Sequence, residues 1–175
     1  MEKSERAKKA YDLAFRYEQT LGACAQPVMK ALQEVYDRND DAAFKGLTGF
    51  AAGVACQVEG MCGAFAAGVF FLSQITGRSL KDIGKDEKDP YAVSKVHGSF
   101  TIIKEYHDRF IEEYGTTSCE GIMRKLYGRS YYIYDADEFE KFDKRGAHDW
   151  AETGVCGKAA EWVVEIIERN QLTIL

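Results

Sequence analysis

The chain has 175 residues, of which 46% are hydrophobic and 29% are charged, and it contains only two prolines. This composition is typical of an ordered globular protein, and we expect residues 1–175 to form a single domain. The net charge of −5 argues against a nucleic-acid-binding surface. No apolar stretch is long enough to span a bilayer, and the charged N-terminus lacks a signal-peptide pattern. We therefore expect a cytoplasmic protein without membrane insertion.

Four helices are predicted in the first half of the chain from apolar residues at three- and four-residue spacing. Ser4 is the N-cap candidate of the first helix, and Gly22 ends it. Gly77 ends the fourth, which is apolar on nearly every side and is therefore expected to be central. The predicted helices are 5–21, 24–37, one that is capped by Asn39-Asp40-Asp41 and reaches Val54, and 62–76.

The second half of the chain is also predicted to be helical. A long helix with a sustained apolar stripe is predicted after Asp89-Pro90, as far as Tyr114. Ser118 caps a short helix that ends near Tyr127. Residues 128–154 are predicted to be an irregular insertion with a short helix at 135–144, and the last helix covers 155–169. The pattern as a whole predicts an all-α bundle of about six to eight helices.

Cysteines are the main chemical signal in this sequence. A reducing compartment disfavours structural disulfides, which leaves core packing, metal binding or redox chemistry for the five thiols. Four of them fall within the first turn of a predicted helix, and each begins an apolar stripe. A helix N-terminus stabilises negative charge, so a thiol there is more readily deprotonated. These four are Cys24, Cys62, Cys119 and Cys156.

The predicted chain path allows these thiols to meet. If the helices alternate in direction, the second, fourth and sixth begin at the same end of the bundle. The last helix begins there too if residues 128–154 bring the chain back. The sequence therefore predicts one thiol site built from four helix starts. Cys56 lies in a connection, with no stripe to hold it inward, and is expected to be dispensable.

A resemblance to a known family appears at these residues. The run Cys62-Gly63-Ala64-Phe65-Ala66-Ala67-Gly68, with cysteines before and after it, resembles the C-GCAxxG-C-C family of redox-active proteins. The resemblance covers about Leu21 to Ile167 and implies that Cys24, Cys62, Cys119 and Cys156 are the functional cysteines. Ala67 stands where the motif has its final glycine, with Gly68 one place later, and Cys56 is additional to the pattern.

The family is similar to the non-haem part of split-Soret cytochrome c, which holds an iron–sulfur centre besides its haems. The absence of CxxCH excludes covalent c-type haem. Four thiolates suit a 2Fe–2S cluster and equally suit zinc. The chain contains no CxxC, whereas ferredoxin-type and zinc-ribbon sites usually take two ligands from one tight turn.

Two classes of function remain open. The first is electron transfer or redox chemistry, through an iron–sulfur cluster or a thiol/disulfide couple, together with a redox partner protein. The second is a non-redox binding module in which the cysteines hold zinc or only pack. His148, eight residues before Cys156, and Cys56 are the additional candidate ligands. A homodimer is the expected assembly.

Overall fold

The computed structural model describes residues 4–83 and 93–174. Within these ranges it contains eight α-helices and no β-strand, which confirms the predicted all-α bundle. The predicted start at Asp89-Pro90 lies outside the described residues. The helices are α1 (Glu5–Leu21), α2 (Ala25–Val35), α3 (Asp41–Gly46), α4 (Gly63–Thr76), α5 (Val93–Tyr114), α6 (Cys119–Tyr127), α7 (Ala136–Lys144) and α8 (Glu152–Arg169).

Four of these helices begin at a side-chain cap that accepts a hydrogen bond from a first-turn amide. Ser4 and Ser118 cap α1 and α6 as predicted, with Oγ 3.0 Å from Ala7 N and 3.1 Å from Gly121 N. Asp40 and Asp135 cap α3 and α7 in the same way. The N-cap positions of α2 and α4 carry Cys24 and Cys62, and neither cysteine side chain makes such a bond.

Helix α8 is central because it packs against α1, α2, α4 and α5. Where α1 meets α8, both helices bury small side chains, which lets their axes approach closely. The buried alanines are Ala7, Ala10 and Ala14 on α1 and Ala159 and Ala160 on α8. On the other side, Phe110 of α5 packs edge-on against Trp162, with ring centroids 5.2 Å apart.

A second, smaller cluster of buried residues joins α6 to the segment that follows it. Tyr127, Tyr131 and Phe142 form its aromatic centre, with ring centroids 5.5–5.8 Å apart. The predicted insertion at 128–154 therefore packs against α6. Its short helix is present as α7, and a π-helical turn (Ala147–Ala151) leads directly into α8.

The predicted third helix is wrong beyond Gly46. Helix α3 ends there, a 3₁₀ turn covers Thr48–Phe50, and residues 51–60 form a compact loop. In this loop the backbone is left-handed at Ala52, Val54, Ala55, Cys56 and Val58 as well as at Gly53. A right-handed helix cannot continue through such residues, although their apolar spacing mimics one.

Cys156 also differs from its predicted position. Helix α8 begins at Glu152, so Cys156 is its fifth residue and lies in the second turn. The π-helical turn before Glu152 continues the helical backbone, and the effect of a helix N-terminus falls off within the first turn. Cys156 therefore does not lie at a helix start, and the N-terminus of α8 does not stabilise its thiolate.

In the described part of the chain, no helix combines the length and the apolar character that crossing a bilayer requires.

Candidate functional site

A cavity of about 240 Å³ lies where three helices begin. Its wall contains Cys24 at the start of α2, Cys62 at the start of α4 and Cys119 at the start of α6, together with Cys56 from the loop. Three of the four predicted thiols thus share one cavity. Cys156 is not among the described residues that line it.

Backbone hydrogen bonds fix the starts of α4 and α6 beside each other. Cys62 N donates to Thr117 O at 2.8 Å, and Cys119 N donates to Gly60 O at 2.9 Å. Met61 and Ser118 form an isolated antiparallel bridge between the same two segments. These bonds use the amides of both cysteines themselves, so the two thiols are held on adjoining segments of the cavity wall.

Cys24 is placed at the cavity by the turn between α1 and α2. Gly22 and Ala23 before it both have left-handed φ, +63° in each case, which turns the chain sharply between α1 and α2. The Cys24 sulfur then lies against the first residue of α4, because a Cβ added at Gly63 would be 2.5 Å from Cys24 Sγ. Glycine at position 63 therefore makes room for this thiol.

Helix ends make the cavity favourable for negative charge. The first turns of α2 and α4 contain no acidic residue. Unpaired first-turn amides and the helix dipole together present partial positive charge at such an end. Thiolates placed at these two ends are stabilised by that charge, which favours both nucleophilic attack and metal binding.

Cys156 lies next to the backbone of Cys24. It is fully buried, and its Sγ donates a weak hydrogen bond to Cys24 O at 3.5 Å. Burial raises the pKa of Tyr106 well above its ordinary value, and negative charge on Cys62 and then on Cys156 adds to the shift. The Tyr106 hydroxyl donates to Ala64 O at 3.2 Å.

Cys56 is on the cavity wall, although the sequence predicted it to be dispensable. It is half-buried and is the last residue of five consecutive left-handed positions, 52–56. Left-handed backbone costs about 1–2 kcal/mol per non-glycine residue, and it is rarest for β-branched residues such as Val54. Backbone strain of this kind concentrates at functional sites.

Two other polar residues line the cavity. His148, a candidate from the sequence, is half-buried there, and its Nδ1 lies 2.8 Å from Asp143 Oδ1. Glu18 was not predicted from the sequence as a site residue. In the structure only 4% of its surface is exposed. Its i+4 spacing from the buried Ala14 placed it on the inner face of α1, and that was the available signal.

The thiols surround a space instead of meeting at one point. In residues 4–83 and 93–174, no three or more His, Cys, Asp or Glu side chains are spaced to hold a single metal ion. The five cysteines are present as thiols. A ligand that uses several of them has to bridge the cavity.

The segment after α6 contributes side chains to the cavity wall. Ile133, Phe139 and Phe142 contribute apolar wall, and Phe142 is almost completely buried. An apolar cover excludes water, which strengthens electrostatic interactions inside the cavity. Phe139 and Phe142 are the aromatic residues of segment 131–142 that line the cavity.

Replacing Phe139 tests this cover. Phe139→Ala should let a maleimide reach the cavity thiols of reduced, metal-free protein several-fold faster, because its ring forms part of the wall and is 44% exposed. The cost in stability should be about 1 kcal/mol. Tyr134→Ala is the matched control, since Tyr134 lies in the same segment, is 73% exposed and is not part of the wall. Equal labelling rates in the two variants would contradict a covering role.

Comparison with known proteins agrees with the resemblance seen in the sequence. A family model described as "Putative redox-active protein (C_GCAxxG_C_C)" matches residues 23–170. No curated protein and no solved structure matches the chain. The matched range contains all five cysteines and most of the cavity wall, whereas Glu18 lies outside it. Because the match covers far more than half of its length, the chain belongs to the C_GCAxxG_C_C family of redox-active proteins.

Proposed function

We propose that the cavity is an electron-transfer site in which cysteine thiolates hold an iron–sulfur cluster. The observation that carries this proposal is the sharing of one cavity by Cys24, Cys62 and Cys119, each from a different helix start. Thiolates are soft ligands of the kind that iron–sulfur clusters require. When bound, such a cluster accepts and releases single electrons.

The residues of the chain have separate roles in this proposal. The thiolates bind, and the N-termini of α2 and α4 offset the negative charge that thiolates and cluster bring into the cavity. Phe139 and Phe142 keep water away from the sulfurs. Solvent exposure and charge near a cluster both influence its reduction potential. The apolar cover and the positive helix ends are therefore the elements that set the reduction potential of the cluster.

Anaerobic purification with iron, zinc and sulfide analysis tests the proposal. The expected result is brown protein that contains iron and acid-labile sulfide in equal amounts. Zinc without sulfide would instead support the non-redox binding module. Colourless protein that lacks both metals, and whose thiols are lost and regained on oxidation and reduction, would support a thiol/disulfide couple. Either of the last two results overturns the cluster.

Cys62→Ala provides the site-specific test. Iron and sulfide should fall to a small fraction of the unmodified level, since a rigid helix start offers no substitute for the missing thiolate. The expected cost in stability is on the order of 1 kcal/mol, so the helical circular dichroism signal should stay close to normal. Full retention of iron and sulfide in folded Cys62→Ala protein would show that the cluster is held elsewhere.

A redox partner protein belongs to the same proposal, because an electron carrier needs a donor and an acceptor. A homodimer stays a prediction.

A further inference from the structure

We propose that Cys56, and not Cys156, supplies the fourth thiolate of the cavity. This inference rests on the proposed function above and changes its set of ligands. The cavity wall contains the sulfur-bearing residues Cys24, Cys56, Cys62 and Cys119, whereas Cys156 is absent from the described wall. The family pattern favours Cys156, so the structure and the pattern make opposite assignments for this chain.

The loop around Cys56 is built as a fixed unit. Its left-handed residues are held by backbone hydrogen bonds from Ala55 N to Gly49 O at 2.9 Å, and from Cys56 N to Ala51 O at 3.1 Å. Gly53 packs so tightly on the loop that an added Cβ would lie 2.6 Å from Val58 backbone atoms. Position 56 is thus held by its own backbone and does not depend on an apolar stripe.

The same loop is joined to the start of α6. Glu120 N donates to Val58 O at 3.0 Å, and Cys119 N donates to Gly60 O at 2.9 Å. The segment that carries Cys56 and the helix that carries Cys119 are therefore one hydrogen-bonded unit. Strained backbone persists only where the surrounding structure determines it, and here the result is a thiol on the cavity wall.

Cys156 acts as a positioning residue in this assignment. It is fully buried in the second turn of α8, and its thiol donates to the carbonyl of Cys24. This contact links the central helix to the N-cap of α2. Loss of the Cys156 thiol removes this contact but no ligand, so its expected effect is mainly on stability.

The matched variants Cys56→Ala and Cys156→Ala separate the two assignments in protein purified anaerobically. Cys56→Ala should lose most of its iron and sulfide, and its visible spectrum, while keeping its helical signal. Cys156→Ala should keep most of its iron and sulfide and unfold at a lower temperature. Retention in Cys56→Ala overturns the inference, whatever Cys156→Ala does.

Should both variants lose iron, Cys156→Ser decides, because serine can still donate to the Cys24 carbonyl. Recovery of iron in Cys156→Ser with the unmodified visible spectrum supports a positioning role, because a serine ligand would change that spectrum. Continued loss of iron, or recovery with a changed spectrum, overturns the inference.

A second measurement does not depend on any cofactor. Dibromobimane joins two nearby thiols, and peptide mapping identifies the pairs that it links in reduced, metal-free protein. We expect links from Cys56 to Cys24, Cys62 or Cys119. Links that include Cys156 and omit Cys56 would overturn the inference. If the unmodified protein contains no iron, the proposed cluster fails, and this map still decides which thiols face one another.

Discussion

Gly68→Ala is expected to destabilise the protein near the upper end of about 1–3 kcal/mol, the usual cost of overpacking a core. A Cβ at this position would lie 2.3 Å from both Cζ and Oη of Tyr106. Tyr106 is fully buried, its ring stacks on Phe65 with centroids 5.4 Å apart, and its hydroxyl donates to Ala64 O. Since neither the ring nor α4 can move without breaking these contacts, the overlap cannot be relieved cheaply.

Thermal and denaturant unfolding measure this effect. A loss of that size should lower Tm by several degrees in a chain of this length. Gly98→Ala is the matched control, because Gly98 also lies in a helix and a Cβ there meets nothing within 4 Å. It should be neutral or should stabilise by about 0.5–1 kcal/mol. If Gly68→Ala were as stable as Gly98→Ala, the packing of α4 against Tyr106 would be looser than the structure requires.

This prediction also bears on the family motif. Ala67 occupies the place of the motif's final glycine and is fully buried, so an alanine is accommodated there. The close approach to Tyr106 is made one residue later, at Gly68. In this chain the small residue that packs α4 against α5 is therefore Gly68.

Gly63→Ala is expected to remove most of the iron and sulfide of the proposed cluster although every thiol is retained. The added Cβ would lie 2.5 Å from Cys24 Sγ and 2.8 Å from Phe50 O. The sulfur can rotate away, but only by leaving its place against the start of α4, and the carbonyl can move only with its backbone. Cys24 is thus displaced in either case, and a four-thiolate site with one displaced ligand binds weakly.

Gly49→Ala serves as the control, since Gly49 lies beside Phe50 and an added Cβ meets nothing within 4 Å. Iron, sulfide and the visible spectrum should be normal in that variant. The helical signal should be retained in both, so that loss of cofactor is separated from loss of fold. Normal iron content in Gly63→Ala would mean that Cys24 is not a ligand where the structure places it.

Much of the fold follows from local rules that can be applied to the sequence directly. Ser4 and Ser118 cap helices as predicted, and Gly22 and Gly77 end them. Caps, glycine stops and apolar spacing act within a few residues, so they predict helix existence well. The same rules put Cys24, Cys62 and Cys119 at helix starts, and in the structure these starts line one cavity.

Only the tertiary structure decided how residues 51–60 run and what Cys56 faces. Five of those residues adopt left-handed backbone without being glycine, against their own preference. Bonds to α6, far away in sequence, hold the loop in that conformation, as in the contact from Glu120 N to Val58 O. The local sequence pattern gives no information about such a distant partner as α6. The apolar spacing up to Val54 therefore predicted a helix.

Tertiary context also decided the settings of Cys156 and Glu18. A π-helical turn extends the last helix towards its N-terminus, which moves Cys156 into the helix interior. Glu18 is buried because α1 turns that face inward beside the thiol cavity. By itself the sequence determined most of the helices and three of the cysteines that begin them. The packing of distant segments decided which thiols share a cavity, because that depends on bonds and contacts between residues far apart in the chain.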